Sequence, residues 1–341
     1  MSSDHDNTIA LTGLQALAPI MIFTSHWTEG LFKDPFTQGQ LSIDFFFAIE
    51  GYFCGRLMAE GGRTATFQSL IWGRLSRIYP LYLLGILMSL SVAAILAEVG
   101  SVEWPWPVVQ QAVTFNPFFL PTFVDPAYVF PLNPPTWAIA LEVYAFAMLC
   151  LLRKWLNLHL LIPLVLSAGL LCLAVAFLAR NPNMGYQPQS YWGGYPRCLF
   201  GFFYGALAYH LVQRWGHKLP RLNPLLMWCA FLAMMLLPSK YVSLPLLVVA
   251  MPIVVLLSAT ATNPLWLRGV ARQAGRLAYG FYMLSYPVLI ALRHGVEAIG
   301  RPQSALGFLF FYIVVLGSIA VVSHVAVAAL RSKGEATKAA A

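Results

Sequence analysis

Charged residues are scarce in this chain of 341 residues, in which Asp, Glu, Lys and Arg together make up only 10%. With so little charge and 59% hydrophobic residues, the sequence excludes a water-soluble domain. Cysteine is also sparse, and the five cysteines stand in apolar stretches without CxxC or Cys/His spacing. We interpret them as small packing residues and predict no metal site and no bound cofactor.

Positive charge is missing at the start of the chain, where Asp4 and Asp6 precede the first apolar stretch without any Lys or Arg. A cleaved signal peptide begins with a basic region, so we expect the first apolar stretch to remain in the protein. Lys and Arg are absent as well from the longest non-membrane stretch, about 99–136, which is rich in proline and aromatic residues. This pattern predicts an external packed or interfacial cap, either covering a substrate site or forming a plain interfacial belt.

What the chain has in quantity is apolar runs of about 20 residues, the length that crosses a bilayer, with a mean hydropathy of +0.69. They predict an all-α, polytopic membrane helical bundle of about ten transmembrane helices, forming one integral membrane domain over residues 1–341 with short tails at 1–8 and 331–341. The predicted helices are 9–28, 41–59, 76–98, 137–153, 159–179, 195–213, 223–238, 241–260, 274–293 and 304–330. The pair around 223–260 could equally contain a broken helix, because Pro238 and Pro245 crowd a short loop.

Most of the 21 Lys and Arg residues fall on one side of this arrangement, which is therefore expected to be cytoplasmic. An even number of helices then places both termini in the cytoplasm. The same asymmetry accounts for the net charge of +8 without a nucleic-acid partner.

Five titratable side chains lie inside or against the apolar stretches, where each costs roughly 2.5 to 3.5 kcal/mol at a bilayer centre. Such residues mark candidate functional sites unless a partner neutralises them. They are His26, Asp44, Glu50, Glu142 and Arg197.

Spacing along the sequence shows which of these residues would share a helix face. Gln15 and His26 are three helical turns apart, so they share one helix face at roughly 16 Å. His26 suits a general base, or it is a histidine at a helix end among lipid headgroups. Asp44 and Glu50 lie on nearly opposite faces of their helix, so each needs a partner elsewhere.

Two arginines, Arg74 and Arg77, stand one turn apart at the basic end of a predicted helix, a spacing that suits phosphate or ordinary anchoring at the membrane surface. Arg197 is the natural candidate to neutralise Glu142 or Glu50. Gly201 and Gly205 follow it and predict a close helix contact.

Taken in order, these blocks resemble the membrane acyltransferase-3 family, which O-acylates surface polysaccharides and related glycans. The resemblance extends over the first nine predicted helices. It rests on His26, Asp44, Gly51, Arg74, Arg77, Pro80, Pro135, Trp137, Glu142, Arg197, Gly201, Gly275, Tyr279 and Tyr282. The chain departs from the family pattern at Gln15, where the family has Arg, at Glu50, where it has a small hydroxyl residue, and at Ser285, where it has His.

The resemblance implies transfer of an acyl group, usually acetyl, from cytoplasmic acyl-CoA to a hydroxyl of a carbohydrate or lipid-linked glycan, in a bacterial inner membrane. It implies that His26 acts as a base or as a transient acyl carrier and that Arg74 and Arg77 bind the donor. Glu142 is a further candidate catalytic residue. Glu50, at a departure from the family, either supplies a catalytic proton acceptor or pairs with an arginine, and Gln15 is a candidate donor-binding residue that has lost the family's charge. Glu142 and Arg197 are alternatively a structural pair between helices. Asp44, Trp137, Arg197, Tyr279 and Tyr282 are expected around the substrate, and membrane lipids surround the protein.

Three questions stay open at the level of the sequence. His26 falls near the external end of its helix while the arginine pair is on the cytoplasmic side, so the donor reaches far into the bundle or the acyl group moves in two steps. The departures at Gln15, Glu50 and Ser285 are compatible with a catalytically silent binder. A transporter or flippase of a glycan would use the buried Asp, Glu and His as a path, but it predicts paired broken helices in two related halves, which the sequence does not show.

Overall fold

A computed structural model describes residues 8–28, 36–62, 64–98, 104–179, 183–238, 242–299 and 305–339, and within these ranges the chain contains helices and no strand. The α-helices are α1 (Ile9–Thr28), α2 (Ser42–Leu57), α3 (Phe67–Glu98), α4 (Trp106–Phe115), α5 (Thr136–Leu152), α6 (Leu158–Ala179), α7 (Tyr191–Trp215), α8 (Pro224–Met235), α9 (Ser243–Pro245), α10 (Met251–Ala259), α11 (Leu265–Ile299) and α12 (Ala305–Ala339). Short 3₁₀ turns stand at Gly39–Leu41, Asn116–Phe118 and Gly216–Lys218, and π turns at Met58–Gly62 and Leu246–Ala250.

The helices form an integral membrane bundle. Phe67–Glu98, Leu158–Ala179 and Tyr312–Leu330 are long and apolar enough to cross a bilayer, and four shorter apolar helices accompany them. Large apolar side chains stay exposed on the outside of the bundle, for example Phe177 and Leu178 on α6 at about 80%. This outward apolar surface suits lipid, and the predicted all-α bundle of about ten transmembrane helices is confirmed.

Several helix boundaries differ from the prediction. α3 begins at Phe67 rather than at residue 76, and α11 spans Leu265–Ile299 rather than 274–293. The stretch predicted to have no membrane helix contains the short α4. The segment predicted as 241–260 is three pieces, α9, a π turn and α10.

The centre of the bundle is the contact between α2 and α7, the most extensive pair of helices in the fold. A Cβ at Gly51 would overlap the carbonyl oxygen of Phe202, and a Cβ at Gly205 would overlap that of Ala48. Glycine at both positions lets the two backbones touch, as the small-residue spacing of α7 predicts. This contact fixes how α2 presents Asp44 and Glu50.

The bundle has a basic side and an opposite side. The basic side carries Arg56, Arg77 and Arg276 around one opening. On the opposite side, residues 119–135 fold back over the helices, with Phe130 and Leu132 fully buried.

One backbone and one side-chain hydrogen bond hold that segment in place. The Val129 N–H donates to the Tyr186 carbonyl at 3.0 Å. The Asn133 Nδ2 donates to the Met283 carbonyl at 2.8 Å. The segment is therefore a packed cap, as its proline and aromatic content predicts.

Candidate active site

Three charged side chains from three helices meet inside the bundle: Glu50 of α2, Arg74 of α3 and Glu142 of α5. Arg74 Nη2 lies 3.0 Å from Glu50 Oε2 and also contacts Glu142 Oε1. Only 5% of the Glu50 side chain and none of the Glu142 side chain is exposed. One guanidinium thus neutralises two buried carboxylates, which would each be costly alone.

Two neutral donors complete this group, which we call the acidic cluster: Gln15, Glu50, Arg74, Glu142 and Tyr279. Gln15 Nε2 of α1 donates to Glu50 Oε1. Tyr279 of α11 donates to Glu142 Oε1 at 2.8 Å and accepts from Arg74 Nη2 at 3.0 Å. Five helices therefore contribute one side chain each to the cluster.

Two atoms of the acidic cluster have no hydrogen-bond partner among the described residues, Arg74 Nε and Glu142 Oε2. The Arg74 guanidinium lies over the Phe146 ring at 5.0 Å, and its Nη1 reaches Cys54 Sγ at 3.4 Å. A buried donor and acceptor without partners are costly in a purely structural group. Their presence is typical of a site that completes its bonding with a ligand.

A cavity of about 800 Å³ leads from the basic side to this cluster, which forms its floor through Gln15, Glu50, Arg74 and Tyr279. Its walls are largely apolar: Phe53, Leu57, Leu70, Ile78, Leu81, Phe146, Val327 and Leu330. Its rim carries Arg56, Glu60, Arg77 and Arg276. Arg56 is held by Glu60 at 2.7 Å, whereas no ion pair joins Arg77 or Arg276 to a described residue. The volume is that of a ligand site for an elongated molecule.

A second buried ion pair joins α2 to α7 nearer the opposite side. Arg197 Nε and Nη2 bind Asp44 Oδ1 and Oδ2, each at 2.7 Å. The same guanidinium donates to the carbonyls of Met184 at 3.1 Å and Gln40 at 2.9 Å. Arg197 is 1% exposed and Asp44 0%, so this bidentate pair is a fully satisfied structural clamp.

Beside this clamp lies a small cavity of about 30 Å³, lined by Arg197, Trp137, Tyr282, Ile22 and the cap. It has room for about two water molecules. Tyr282 Oη donates to the Pro135 carbonyl at 2.7 Å. The Phe46 ring lies between the acidic cluster and the small cavity. Its centroid is 5.1 Å from the ring centroid of Tyr279 in the acidic cluster and 5.6 Å from that of Tyr282 at the small cavity.

The structure brings most of the predicted site residues together, but with different partners. Arg197 was expected to neutralise Glu142 or Glu50, and this prediction was wrong, since Arg197 binds Asp44 and Arg74 binds both glutamates. The Asp44 and Glu50 side chains do point to different partners, as their spacing predicts. Sequence reasoning missed the acidic cluster because it placed Arg74 at the membrane surface and not beside Glu142.

The expected fork of two arginines free for phosphate is also absent. The Arg74 guanidinium is occupied by carboxylates, while Arg77 stands exposed at the rim with Arg276 of α11. Arg276 was not singled out as a binding residue, although it lies in the quoted block around Gly275. The signal that could have found it is its position one turn before Tyr279.

His26 belongs to the last turn of α1, but its side chain lies outside the described residues. Ile22, one turn earlier on the same helix, lines the small cavity. Ser285, which stands where a histidine was expected, donates to the Tyr282 carbonyl at 3.0 Å and is buried.

Comparison with known proteins identifies the family. A family model described as an acyltransferase domain matches residues 8–325, which include the acidic cluster, the small cavity, the cap and every lining residue of the large cavity except Val327 and Leu330. No curated protein and no solved structure matches the chain. The matched range covers nearly the whole chain and agrees with the motif resemblance, so the chain belongs to the acyltransferase-3 family.

Proposed function

We propose that the protein is a membrane O-acyltransferase that moves an acyl group from acyl-CoA to a hydroxyl of a surface carbohydrate or lipid-linked glycan. The observation that carries this proposal is the cavity of about 800 Å³ that runs from a basic rim to the buried acidic cluster. An elongated donor with an anionic head and a neutral arm matches that distribution of charge and apolar wall.

Phosphate groups of the donor would bind at the rim, to Arg77 and Arg276. Both side chains are exposed cations on facing helices, α3 and α11, and arginine binds phosphate through paired N–H donors. The pantetheine arm, which is long and uncharged, would then lie along the apolar wall towards Arg74.

Arg74 Nε is the buried donor that lacks a partner, and we assign it to the thioester carbonyl. A donor aimed at that oxygen stabilises the negative charge that develops when the acceptor hydroxyl attacks. In the reaction the hydroxyl oxygen bonds to the acyl carbon, the carbon–sulfur bond breaks and CoA leaves as the thiolate, which takes up a proton from the protonated base to become the thiol. The hydroxyl proton passes to a base, for which the chain offers His26, with Glu50 and Glu142 as the acidic residues nearest the donor.

The orientation follows the distribution of Lys and Arg. The basic side faces the cytoplasm, where acyl-CoA is made, and both termini are cytoplasmic. The cap then faces the exterior of a bacterial inner membrane, on the side where glycan acceptors are exported. Trp137, Tyr282 and the small cavity beside the cap are the candidate acceptor region.

The test is CoA release by the purified protein in lipid vesicles supplied with acetyl-CoA and a glycan extract. We expect His26→Ala to abolish release and Arg77→Ala to raise the donor KM about tenfold, the effect of one lost charged hydrogen bond. Arg221→Ala is the matched control, because it removes an exposed arginine that does not line the cavity. Equal rates in all four proteins, no faster than empty vesicles, would overturn the proposal.

A further inference from the structure

The acidic cluster at the floor of the large cavity holds more negative than positive groups. Glu50 lines the cavity, the buried Glu142 stands behind that lining, and Arg74 is the cation that contacts both carboxylates. Gln15 and Tyr279 add hydrogen bonds but no charge. Among the described residues, no other Lys or Arg lines the cavity near this floor, since Arg56, Arg77 and Arg276 belong to the rim.

Both oxygens of Glu50 accept hydrogen bonds, Oε1 from Gln15 and Oε2 from Arg74. An ionised carboxylate accepts hydrogen bonds at both oxygens, whereas a protonated carboxyl group donates from one of its oxygens. The bonds of Glu50 match the ionised form. Glu50 therefore presents a negative charge to the end of the cavity.

Arg74 has no pair of free donors for a second carboxylate. Its Nη2 serves Glu50, Glu142 and Tyr279, and its Nη1 is turned to Cys54. The remaining Nε–H is a single donor on a guanidinium whose charge two carboxylates already neutralise. It suits a neutral carbonyl oxygen and not a carboxylate.

We propose that Glu50, held by Gln15 and Arg74, makes this cavity selective for uncharged acyl groups and excludes acyl chains that end in a carboxylate. This inference rests on the proposed function and names the class of donor: acetyl and other neutral acyl-CoA esters are accepted, succinyl-CoA is rejected. The rim binds the anionic head, and the floor repels an anionic tail.

Gln15 and Glu50 stand at two of the positions where the chain departs from the family pattern. Their side chains are hydrogen-bonded to each other. Together, Gln15 and Glu50 make the floor more negative by two charges than an arginine and a hydroxyl residue would. The departures at these two positions therefore form one local change in charge.

The test compares acetyl-CoA with succinyl-CoA, which share the CoA moiety, so effects at the rim cancel in the ratio of kcat/KM. Thermal stabilisation of the full-length protein by each ester gives a second readout that does not need turnover. The variants are Glu50→Gln, which keeps the side-chain shape, and Gln15→Arg, which adds a cation beside the intact carboxylate. Glu60→Gln is the matched control, because it removes the same charge from the rim, where 50% of the side chain is exposed.

We expect the wild type to prefer acetyl-CoA about tenfold or more, and each floor variant to shrink that preference about tenfold, as one charge at close range requires. Glu60→Gln keeps the wild-type ratio. Succinyl-CoA used as well as acetyl-CoA by the wild type, or an equal shift in Glu60→Gln, would overturn the inference and leave the proposed function standing. Failure of both esters to stabilise the protein or to release CoA would overturn the two together.

Discussion

Arg74 is the residue on which the floor of the large cavity depends, because it bonds to side chains of α2, α5 and α11 at once. Its sequence context, one turn before Arg77 at the start of an apolar run, is also that of an ordinary membrane anchor. Only the packing of α3 against its neighbours distinguishes the two roles. Any substitution that removes the charge of Arg74 leaves two carboxylates without a cation.

Asp44 and Arg197 provide a test of the structural clamp. Arg197→Met leaves a buried carboxylate unpaired and is expected to lower the free energy of unfolding by about 3 to 5 kcal/mol. The double variant Asp44→Leu/Arg197→Met removes both charges, so we expect it to be more stable than the single variant. Thermal unfolding in detergent measures the order of stability of the wild type and the two variants. A double variant no more stable than Arg197→Met would contradict the Asp44–Arg197 ion pair.

Tyr279 provides a test of the acidic cluster. Tyr279→Phe keeps the ring against Phe46 but removes the bonds to Arg74 and Glu142, worth about 1 to 3 kcal/mol. We expect kcat to fall about tenfold or more while the donor KM changes little, because the rim is intact. The control is Tyr204→Phe, which loses a hydroxyl hydrogen bond to the carbonyl of Pro252, and neither of these residues lines the cavity. A change in the donor KM with kcat unchanged would contradict the placement of Tyr279 at the reacting end of the cavity.

For individual residues, the sequence predicts which side chains are costly to bury. It does not predict which of them contact each other. The cost follows from residue type in an apolar run, so Asp44, Glu50, Glu142 and Arg197 could all be selected in advance. Pairing depends on depth and rotation of separate helices, and the one pairing predicted, Arg197 with a glutamate, was wrong. The bond between Gln15 and Glu50 was likewise beyond sequence reasoning, since 35 positions separate them.

Among the elements, α2 and α7 set the geometry of both buried charge groups. Their glycines allow the backbones to touch, and a larger side chain must push the helices apart and move Asp44 and Glu50 with them. The contact therefore couples helix packing to the shape of the site.

Gly205→Val tests this coupling. The added side chain meets the backbone of Ala48 and Tyr52, so we expect a loss of about 1 to 3 kcal/mol and a lower thermal midpoint. Gly317→Ala in α12 is the matched control, because nothing lies within 4 Å of the added Cβ there. Similar midpoints for Gly205→Val and the control would show that the close contact does not form.

Helix positions were predicted well where the apolar run and the helix coincide, as in α1, α5 and α6. The predicted helices were too short where a helix continues beyond the apolar run. Hydropathy locates the part of a helix that lies in the bilayer, and it does not show where the helix itself begins or ends. α3 gains its first turns from Phe67–Leu75, where Gln68, Ser69, Gly73 and Arg74 interrupt the apolar residues, and α11 begins similarly early at Leu265. The short α4 was missed among prolines and aromatic residues that read as a loop.

For the whole molecule, charge is arranged along the membrane normal: basic residues at one end, the acidic cluster within, then Phe46, the Asp44–Arg197 clamp and the cap. Under the proposed function, this order assigns the donor and the acceptor to separate ends of the bundle. The long-range arrangement follows from the positive-inside pattern, whereas the aromatic layer between the two regions was not predictable, because it needs helices α2 and α11 in register.

The orientation is tested with reporter fusions. A fluorescent protein that folds only in the cytoplasm, fused to the C-terminus, is expected to fluoresce, and an alkaline phosphatase fused after Asp125 in the cap is expected to be active. The reason is the excess of Lys and Arg on the side of Arg77 and Arg276. Phosphatase activity at the C-terminus would reverse the membrane orientation and remove the proposed access of cytoplasmic donor to the rim.

The most direct measurement is a structure of the protein in lipid nanodiscs with acetyl-CoA bound. We expect the donor phosphates between Arg77 and Arg276, the pantetheine arm along the apolar wall and the thioester carbonyl at Arg74 Nε, with the acetyl group facing Glu50. Phosphates bound on the side of the cap, or a donor that lies outside the cavity of about 800 Å³, would contradict this expectation.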